Sequence, residues 1–140
     1  MKKILVISGP NLNMLGLRDK SQYGTITYKQ LNQSIKKKYP SIKFKFFQSN
    51  YEGKLIDFLQ KYNKYDSLII NAGAFTHTSI ALRDCLDIIK KPKVSVHLSN
   101  INEREDFRKI DYLKDVVDEV FMGQKQQSYY NAIDYLLDIK

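Results

Sequence analysis

Short apolar runs punctuate the chain at Ile4–Ser8, Ser67–Ile70 and Val94–Leu98, with a less regular one at Val116–Phe121. Their length and their Val, Ile and Leu content are those of strands covered on both faces. KFKFFQ, Lys43–Gln48, alternates polar and apolar residues instead, as an edge strand with one wetted face does. Between these runs, apolar residues recur at helical spacing over Tyr28–Tyr39, which stops at Pro40, and over Lys54–Tyr62. The same spacing recurs over His77–Lys90, which stops before Pro92, and over Gln127–Ile139. Strand and helix alternate five times, which predicts an α/β fold with a five-stranded parallel sheet between two helical layers. Right-handed crossovers then favour the flavodoxin-like, three-layer order 2-1-3-4-5. Residues 100–115 predict one or two short helices, and no repeat, linker or low-complexity segment divides residues 1–140, so a single domain is expected.

One connection is out of scale with the others. GPNLNMLGLRDKSQYG, residues 9–24, joins the first strand to the first helix, and connections beyond about 12–15 residues are commonly functional lids. It carries Asn11, Asn13, Arg18 and Tyr23 between Gly9, Gly16 and Gly24, and a mobile lid is expected there. Ligands of open α/β sheets sit beyond the carboxyl ends of the strands. Those ends read Ser8-Gly9-Pro10-Asn11, Gln48-Ser49-Asn50, Asn71-Ala72-Gly73-Ala74 and His97-Leu98-Ser99-Asn100, so amides, hydroxyls and an imidazole gather at one edge. Ser49, Asn50, Thr78 and Ser79 suit turns and helix caps. Asn71 and His97 follow directly on buried runs and point at the crevice, which makes them candidate site residues. His77, at the expected start of the third helix, and Asp84, seven residues on, share a helical face but stand about 10 Å apart along the axis. A single small ligand hardly spans both, so Asp84 either pairs with Arg83 or Arg104 or serves a neighbouring subunit's pocket.

Composition narrows the chemistry. The net charge of +8 comes from lysines in short scattered runs, without an aromatic-interleaved RNA-binding signature. No nucleic-acid partner is expected, and the positive field suits small anionic ligands. Cys85 is the single cysteine, which excludes an intrachain disulfide, a zinc ribbon and a CxxC motif, and suits a reducing cytoplasm. MKKILVISGP opens like a secretory signal but its apolar run is too short, and no later stretch reaches spanning length, so a soluble cytoplasmic protein with no membrane partner is expected. P-loop, GxGxxG and GxSxG motifs are missing, as is a flavin-phosphate loop, and Ser8 and Asn71 stand where a receiver domain needs carboxylates. Two histidines plus Asp84, without paired spacing, give a metal site little support.

GPNLNMLGLR, Tyr23-Gly24, QSNYEG, NAGAFTHTSIALRD and VHLSNINEREDFR, in that order within residues 3–113, resemble the signature blocks of the type II 3-dehydroquinate dehydratases. The resemblance implies loss of water from 3-dehydroquinate to give 3-dehydroshikimate through an enolate, a step of the shikimate route to chorismate and aromatic amino acids. It implies neither metal nor organic cofactor. It also implies Tyr23 as the base beside the ketone, Arg18 as the cation that favours its phenolate, and His97 as proton donor to the departing hydroxyl. Asn11 is implied to hold the water or enolate oxygen, while Asn71, His77, Leu98, Ser99 and Arg108 bind the substrate's hydroxyls and carboxylate. Asp84 is implied to reach a neighbouring chain's site in a dodecamer built of trimers.

That chemistry is physically demanding. A free phenol is about 0.1% ionised at pH 7, so using its phenolate costs about 4 kcal/mol unless a cation offsets it. Arg18, on the same loop, supplies such a charge, and a lid that excludes water strengthens the interaction. Read singly, Tyr23 is also compatible with a loop aromatic packed on the core, and Arg18 with a surface residue. Two departures from the family pattern stand out. Ser95 occupies the position two before His97 where the family usually has glutamate, so His97 lacks the expected carboxylate unless Glu103 or Glu105 compensates. The tail DEVFMGQKQQSYYNAI keeps only Gly123 of a glycine-rich turn, which predicts a differently built loop at the last strand. These departures motivate the alternative of a catalytically weakened family member that binds a small anion or a protein partner.

Overall fold

Alternation along the strands decides the layering. Described over residues 2–139 by a computed structural model, the chain runs through β1 (Lys3–Ser8), the one-turn helix α1 (Lys20–Tyr23), α2 (Tyr28–Lys38), β2 (Lys43–Gln48), α3 (Glu52–Leu59), β3 (Ser67–Asn71), α4 (Ile80–Ile88), β4 (Lys93–His97), β5 (Glu119–Met122) and α5 (Gln126–Asp138). All neighbouring strands pair in parallel in the order β2-β1-β3-β4-β5. Ile4 and Val6 of β1 join Ile69, Val94 and Val96 in a core under α2 and α5, while Leu5 and Ile7 join Leu68 and Ile70 under α3 and α4. This is the doubly covered sheet with flavodoxin-like strand order that the apolar runs predict. β2 lies at the edge, and its lysines Lys43 and Lys45 stay exposed, as its alternation predicts.

The helices start where side chains can cap them. Thr27 and Gln30 form a reciprocal capping box at α2, and Lys36, Lys37 and Lys38 crowd its last turn, where positive charge complements the helix dipole. Ser79 Oγ accepts from the Leu82 N–H at 2.9 Å, which sets the start of α4 at Ile80. His77 therefore does not open that helix. It ends a 3-10 turn, Gly73–His77, and the helical phase assumed between His77 and Asp84 does not hold. α3 runs from Glu52 to Leu59 rather than to Tyr62, since a separate 3-10 turn forms at Tyr62–Lys64. β5 starts later than Val116 because the Val116 N–H is engaged by the Leu113 carbonyl at 3.0 Å, a turn rather than a ladder bond. Residues 100–115 hold two short 3-10 turns, Ile101–Glu103 and Asp106–Lys109.

The long segment after β1 is more tethered than a free lid. A 3-10 turn at Leu12–Met14 and helix α1 structure it, and Leu12, Leu15 and Tyr23 are all buried in the core beneath α2 and α5. Gly9 marks where this segment leaves the sheet: a Cβ there would stand 2.3 Å from the Ala72 carbonyl oxygen, so only glycine lets the exits of β1 and β3 pass this close. Among the described residues, no helix is long and apolar enough to cross a membrane.

The loop before α5 holds one glycine, Gly123, and it carries strain. Gly123 has φ +86°, and Lys125 adopts φ +53°, ψ −132°, a region that L side chains rarely enter. Such a residue costs about 1–3 kcal/mol, of which glycine's larger unfolded-state entropy returns roughly 0.5–1. Lys125→Gly is accordingly expected to stabilise the fold by about 1 kcal/mol and raise the melting temperature by roughly 3 °C. Thermal unfolding followed by circular dichroism checks this, and an unchanged or lower Tm contradicts it.

Candidate functional site

Where β1, β3 and β4 run out of cover, their side chains meet the loops in a cavity of about 120 Å³. Asn11, Arg18, Tyr23, Asn71, His77, His97, Leu98, Ser99 and Arg108 all line it. The structure thus brings together nearly every residue singled out from the sequence. Asp84 is the exception: it is exposed on α4, away from the cavity, and forms no ion pair among the described residues. Neither arginine considered for it is available. Arg83 donates to the Tyr112 carbonyl at 2.7 Å and lies 3.9 Å from Asp115, and Arg104 turns into the cavity.

Tyr23 is the centre of charge. Its ring is 8% exposed and packs in the core, yet its hydroxyl reaches the cavity. One side chain thus packs as a core aromatic and also lines the cavity. Arg18 Nη2 donates to the phenolic oxygen at 2.8 Å, and Arg104 Nη1 donates to the same oxygen. The Arg18 guanidinium also covers the ring face, 3.8 Å from its centroid. Arg104 was missed as a site residue. It belongs to the block VHLSNINEREDFR, but only the 3-10 turn at Ile101–Glu103 swings it back over Tyr23, and no sequence periodicity reports that turn.

The remaining polar groups are held by neighbours. Asn71 Oδ1 accepts from the Gly73 N–H at 3.1 Å and its Nδ2 donates to the Tyr129 hydroxyl at 3.3 Å, so both ends of the amide are oriented. Burial keeps that tyrosine neutral, pushing its pKa up to about 12 although the Asn71 bond works the other way. Tyr129 comes from α5, too far along the chain for sequence spacing to reveal. Asn11 adopts a left-handed backbone, φ +69°, and is pinned by its N–H to Asn50 Oδ1 at 3.0 Å. His77 Nδ1–H donates to the Ile110 carbonyl at 2.6 Å, which leaves Nε2 as the acceptor. The Leu98 side chain is buried in the core, so what it offers a ligand is backbone. Ser99 Oγ accepts from Arg104 at 3.4 Å, and Arg108 Nε donates to Glu105 at 2.8 Å.

His97 is the most perturbed of the groups that line the cavity. It is 5% exposed and its Nε2 is buried without a hydrogen-bond partner, as is the Oγ of Ser95 two residues earlier. Burial drives its pKa down to about 4, with the charge of Asp111 opposing the shift and His77 adding to it. The expected carboxylate substitutes do not serve it. Glu105 is committed to Arg108 and Arg104, and Glu103 is exposed on its turn.

A histidine neutral when folded but titrating near 6.5 when unfolded lets the unfolded chain bind the extra proton between those values. Stability therefore rises with pH from about 4 to 6.5 and is lost as pH falls through that window. The effect is on the order of 3 kcal/mol at most. His97→Asn is expected to flatten this limb in urea-unfolding free energies measured from pH 4 to 7, and a variant that keeps the wild-type slope contradicts the burial argument.

Known proteins carry the same arrangement of chain. The family described as Dehydroquinase class II matches residues 2–137. A 3-dehydroquinate dehydratase of Fusobacterium nucleatum is 45% identical, covering 97% of each chain, and one of Thermotoga neapolitana is 46% identical, covering 96% of this chain and 93% of its own. The crystal structure of a type II dehydroquinase from Butyrivibrio crossotus superposes with a TM-score of 0.94 at 44% identity, covering 98% of both chains. With the match running almost end to end in sequence and in space, the chain belongs to the class II dehydroquinase family.

Proposed function

We infer that this chain is a hydro-lyase that removes water from 3-dehydroquinate to give 3-dehydroshikimate in the shikimate pathway, and that residues 1–140 act as one catalytic domain. The observation that carries the reading is the convergence of Arg18 and Arg104 on the hydroxyl of a buried Tyr23, in a cavity also lined by His97. Ionising a free phenol at pH 7 costs about 4 kcal/mol. Two guanidinium groups aimed at that oxygen are the charged donors a phenolate base calls for.

In the proposed reaction the Tyr23 phenolate takes a proton from the carbon beside the ketone, and the electron pair passes into the enolate. Asn11, at the rim, holds the enolate oxygen directly or through water. The enolate re-forms its ketone as the neighbouring carbon–oxygen bond breaks, and His97 gives the departing hydroxyl the proton that makes it water. Donation needs the charged imidazole, whereas burial favours the neutral imidazole at pH 7. The substrate's carboxylate and the growing enolate charge supply the negative field that lets His97 take up its proton. Arg108 grips the carboxylate, and Asn71, His77, Ser99 and the Leu98 backbone take the ring hydroxyls. Transfer of the gained proton from Tyr23 back to His97 through solvent resets the site.

Asp84, exposed and without an ion pair among the described residues, is read as reaching a neighbouring chain's site within a dodecamer built of trimers. Exposed apolar side chains beside the cavity residues, Leu17 at 81% and Phe107 at 59%, support self-association. A reducing cytoplasm fits the single buried thiol, Cys85.

Following the ultraviolet absorbance of the conjugated enone formed from 3-dehydroquinate tests the activity directly. Turnover is expected. Its loss, with anion binding retained, would move the protein to the weakened, binding-only reading that Ser95 favours. Tyr23→Phe is expected to abolish turnover, by about 10²–10⁴-fold, with substrate binding kept, since only the base is removed. Arg104→Gln is expected to lower kcat by about 10²-fold with a smaller change in KM, and an Arg104 variant with wild-type kcat removes that residue from the site chemistry.

A further inference from the structure

The turn between β5 and α5 spends strain on a residue whose backbone task glycine would perform. Gly123 has φ +86° and lies against the segment after β4: a Cβ on it would stand 3.2 Å from Asn100 Cβ. Lys125 follows with φ +53° and ψ −132°, and its N–H donates to the Leu98 carbonyl at 3.0 Å. The Gln124 N–H donates to Ser128 Oγ at 3.0 Å, and the Lys125 carbonyl accepts from the Ser128 N–H at 3.0 Å, which fastens the turn to the start of α5. Residues 124 and 125 make all of these bonds with backbone atoms, so glycine at 125 would make them at lower conformational cost. What the lysine adds is its side chain.

Its ammonium group forms no ion pair among the described residues. Its stem does make a contact. A Cβ on Gly24 would stand 3.4 Å from Lys125 Cδ and 3.9 Å from Lys125 Cγ, and among the described residues no other side chain beyond the chain neighbours of Gly24 comes within 4 Å of that point. Gly24 directly follows Tyr23 and closes α1 with φ +80°, its N–H donating to the Lys20 carbonyl at 2.9 Å. Lys125 does not line the cavity, yet it touches two stretches that do: through its N–H the backbone at Leu98, and through its stem the end of the helix that carries Tyr23.

We propose that Lys125 is a positioning residue for Tyr23: its aliphatic stem, held over Gly24 by a strained backbone pinned to Leu98, fixes the end of α1 relative to the cavity wall at Leu98 and Ser99. The proposal rests on the dehydratase reading above, in which Tyr23 is the base and the Leu98 backbone holds substrate. Arg18 and Arg104 hold the Tyr23 hydroxyl, whereas Gly24 has no side chain with which to anchor its own turn. A methylene stem laid on that glycine confines it while the ammonium stays in water. The strength of the base is untouched by this contact. What it sets is the distance between the phenolic oxygen and a ring held at Leu98, so its loss falls on kcat.

Lys125→Ala keeps the N–H and the strained backbone and removes the stem beyond Cβ, whereas Lys125→Met keeps an unbranched stem without the charge. In the full chain with 3-dehydroquinate, Lys125→Ala is expected to lower kcat about fivefold with KM within about twofold, and Lys125→Met to restore kcat to within about twofold of wild type. Lys125→Gly separates positioning from stability. Its Tm is expected to rise while its kcat falls as in Lys125→Ala, a divergence that a purely structural lysine would not produce. Wild-type kcat in Lys125→Ala and Lys125→Gly overturns the proposal, as does a Lys125→Met enzyme as slow as Lys125→Ala. Amide hydrogen exchange over residues 19–24, followed by mass spectrometry without substrate, needs no turnover. Exchange there is expected to be about threefold or more faster in Lys125→Ala than in wild type or Lys125→Met. That result upholds the positioning even if the wild-type protein fails to dehydrate substrate, a failure that falls on the dehydratase reading alone. Unchanged exchange in a fully active Lys125→Ala enzyme rejects the role of the lysine and leaves the dehydratase reading intact.

Discussion

A parallel sheet covered on both faces leaves almost no place for a polar side chain, and that constraint locates everything else in this molecule. Within the sheet the backbone groups are paired in the ladders, and alternate side chains must enter one apolar layer or the other. Apart from Ser95 within β4, hydroxyls, amides and the imidazole gather at the ends of the ladders. Ser8, Asn71 and His97 end their strands at this limit, and the loops that follow bring Asn11, Tyr23 and Arg104 to meet them. Tyr23 belongs to the core beneath α2 and α5, whereas β4 turns His97 towards the layer of α3 and α4. The cavity therefore joins the two layers across the edge of the sheet, and the Tyr23 hydroxyl and the His97 imidazole reach it from opposite sides. Gly9 makes the arrangement possible, since any side chain there would collide with the backbone after β3.

The charge of the cavity is set for an anion. Arg18 and Arg104 are spent on the Tyr23 oxygen, and Arg108 is left to meet a ligand. Arg108 is not bare within the chain, because Glu105, half exposed, accepts from its Nε at 2.8 Å. An ion pair this wet contributes little to folding. Its consequence is kinetic and geometric: the guanidinium waits in one orientation, and an incoming carboxylate exchanges with, or joins, a carboxylate of the same charge. Binding then avoids the cost of desolvating an unpaired cation. The same economy is missing at His97, which has lost its water on burial and has received no hydrogen-bond partner at Nε2.

Period-two and helical patterns made the five strands, their order and four of the helices legible, because burial on a sheet or a helix face leaves a repeating trace in the residues. The identities at the strand ends were legible for the same reason: Asn71 and His97 interrupt apolar runs. What escaped was set by turns. The start of the helix after β3 was misplaced to His77, since the 3-10 turn over Gly73–His77 contains the same apolar and polar residues as a first helical turn, and only the Ser79 cap separates them. Arg104 escaped because its approach to Tyr23 depends on a three-residue turn with no period to detect. Tyr129 escaped because its contact with Asn71 joins α5 to β3 through tertiary packing alone. Asp84 was recognised, but among the described residues it meets neither cavity nor cation, so the spacing argument that detached it from the site agrees with the geometry even though its helical premise failed.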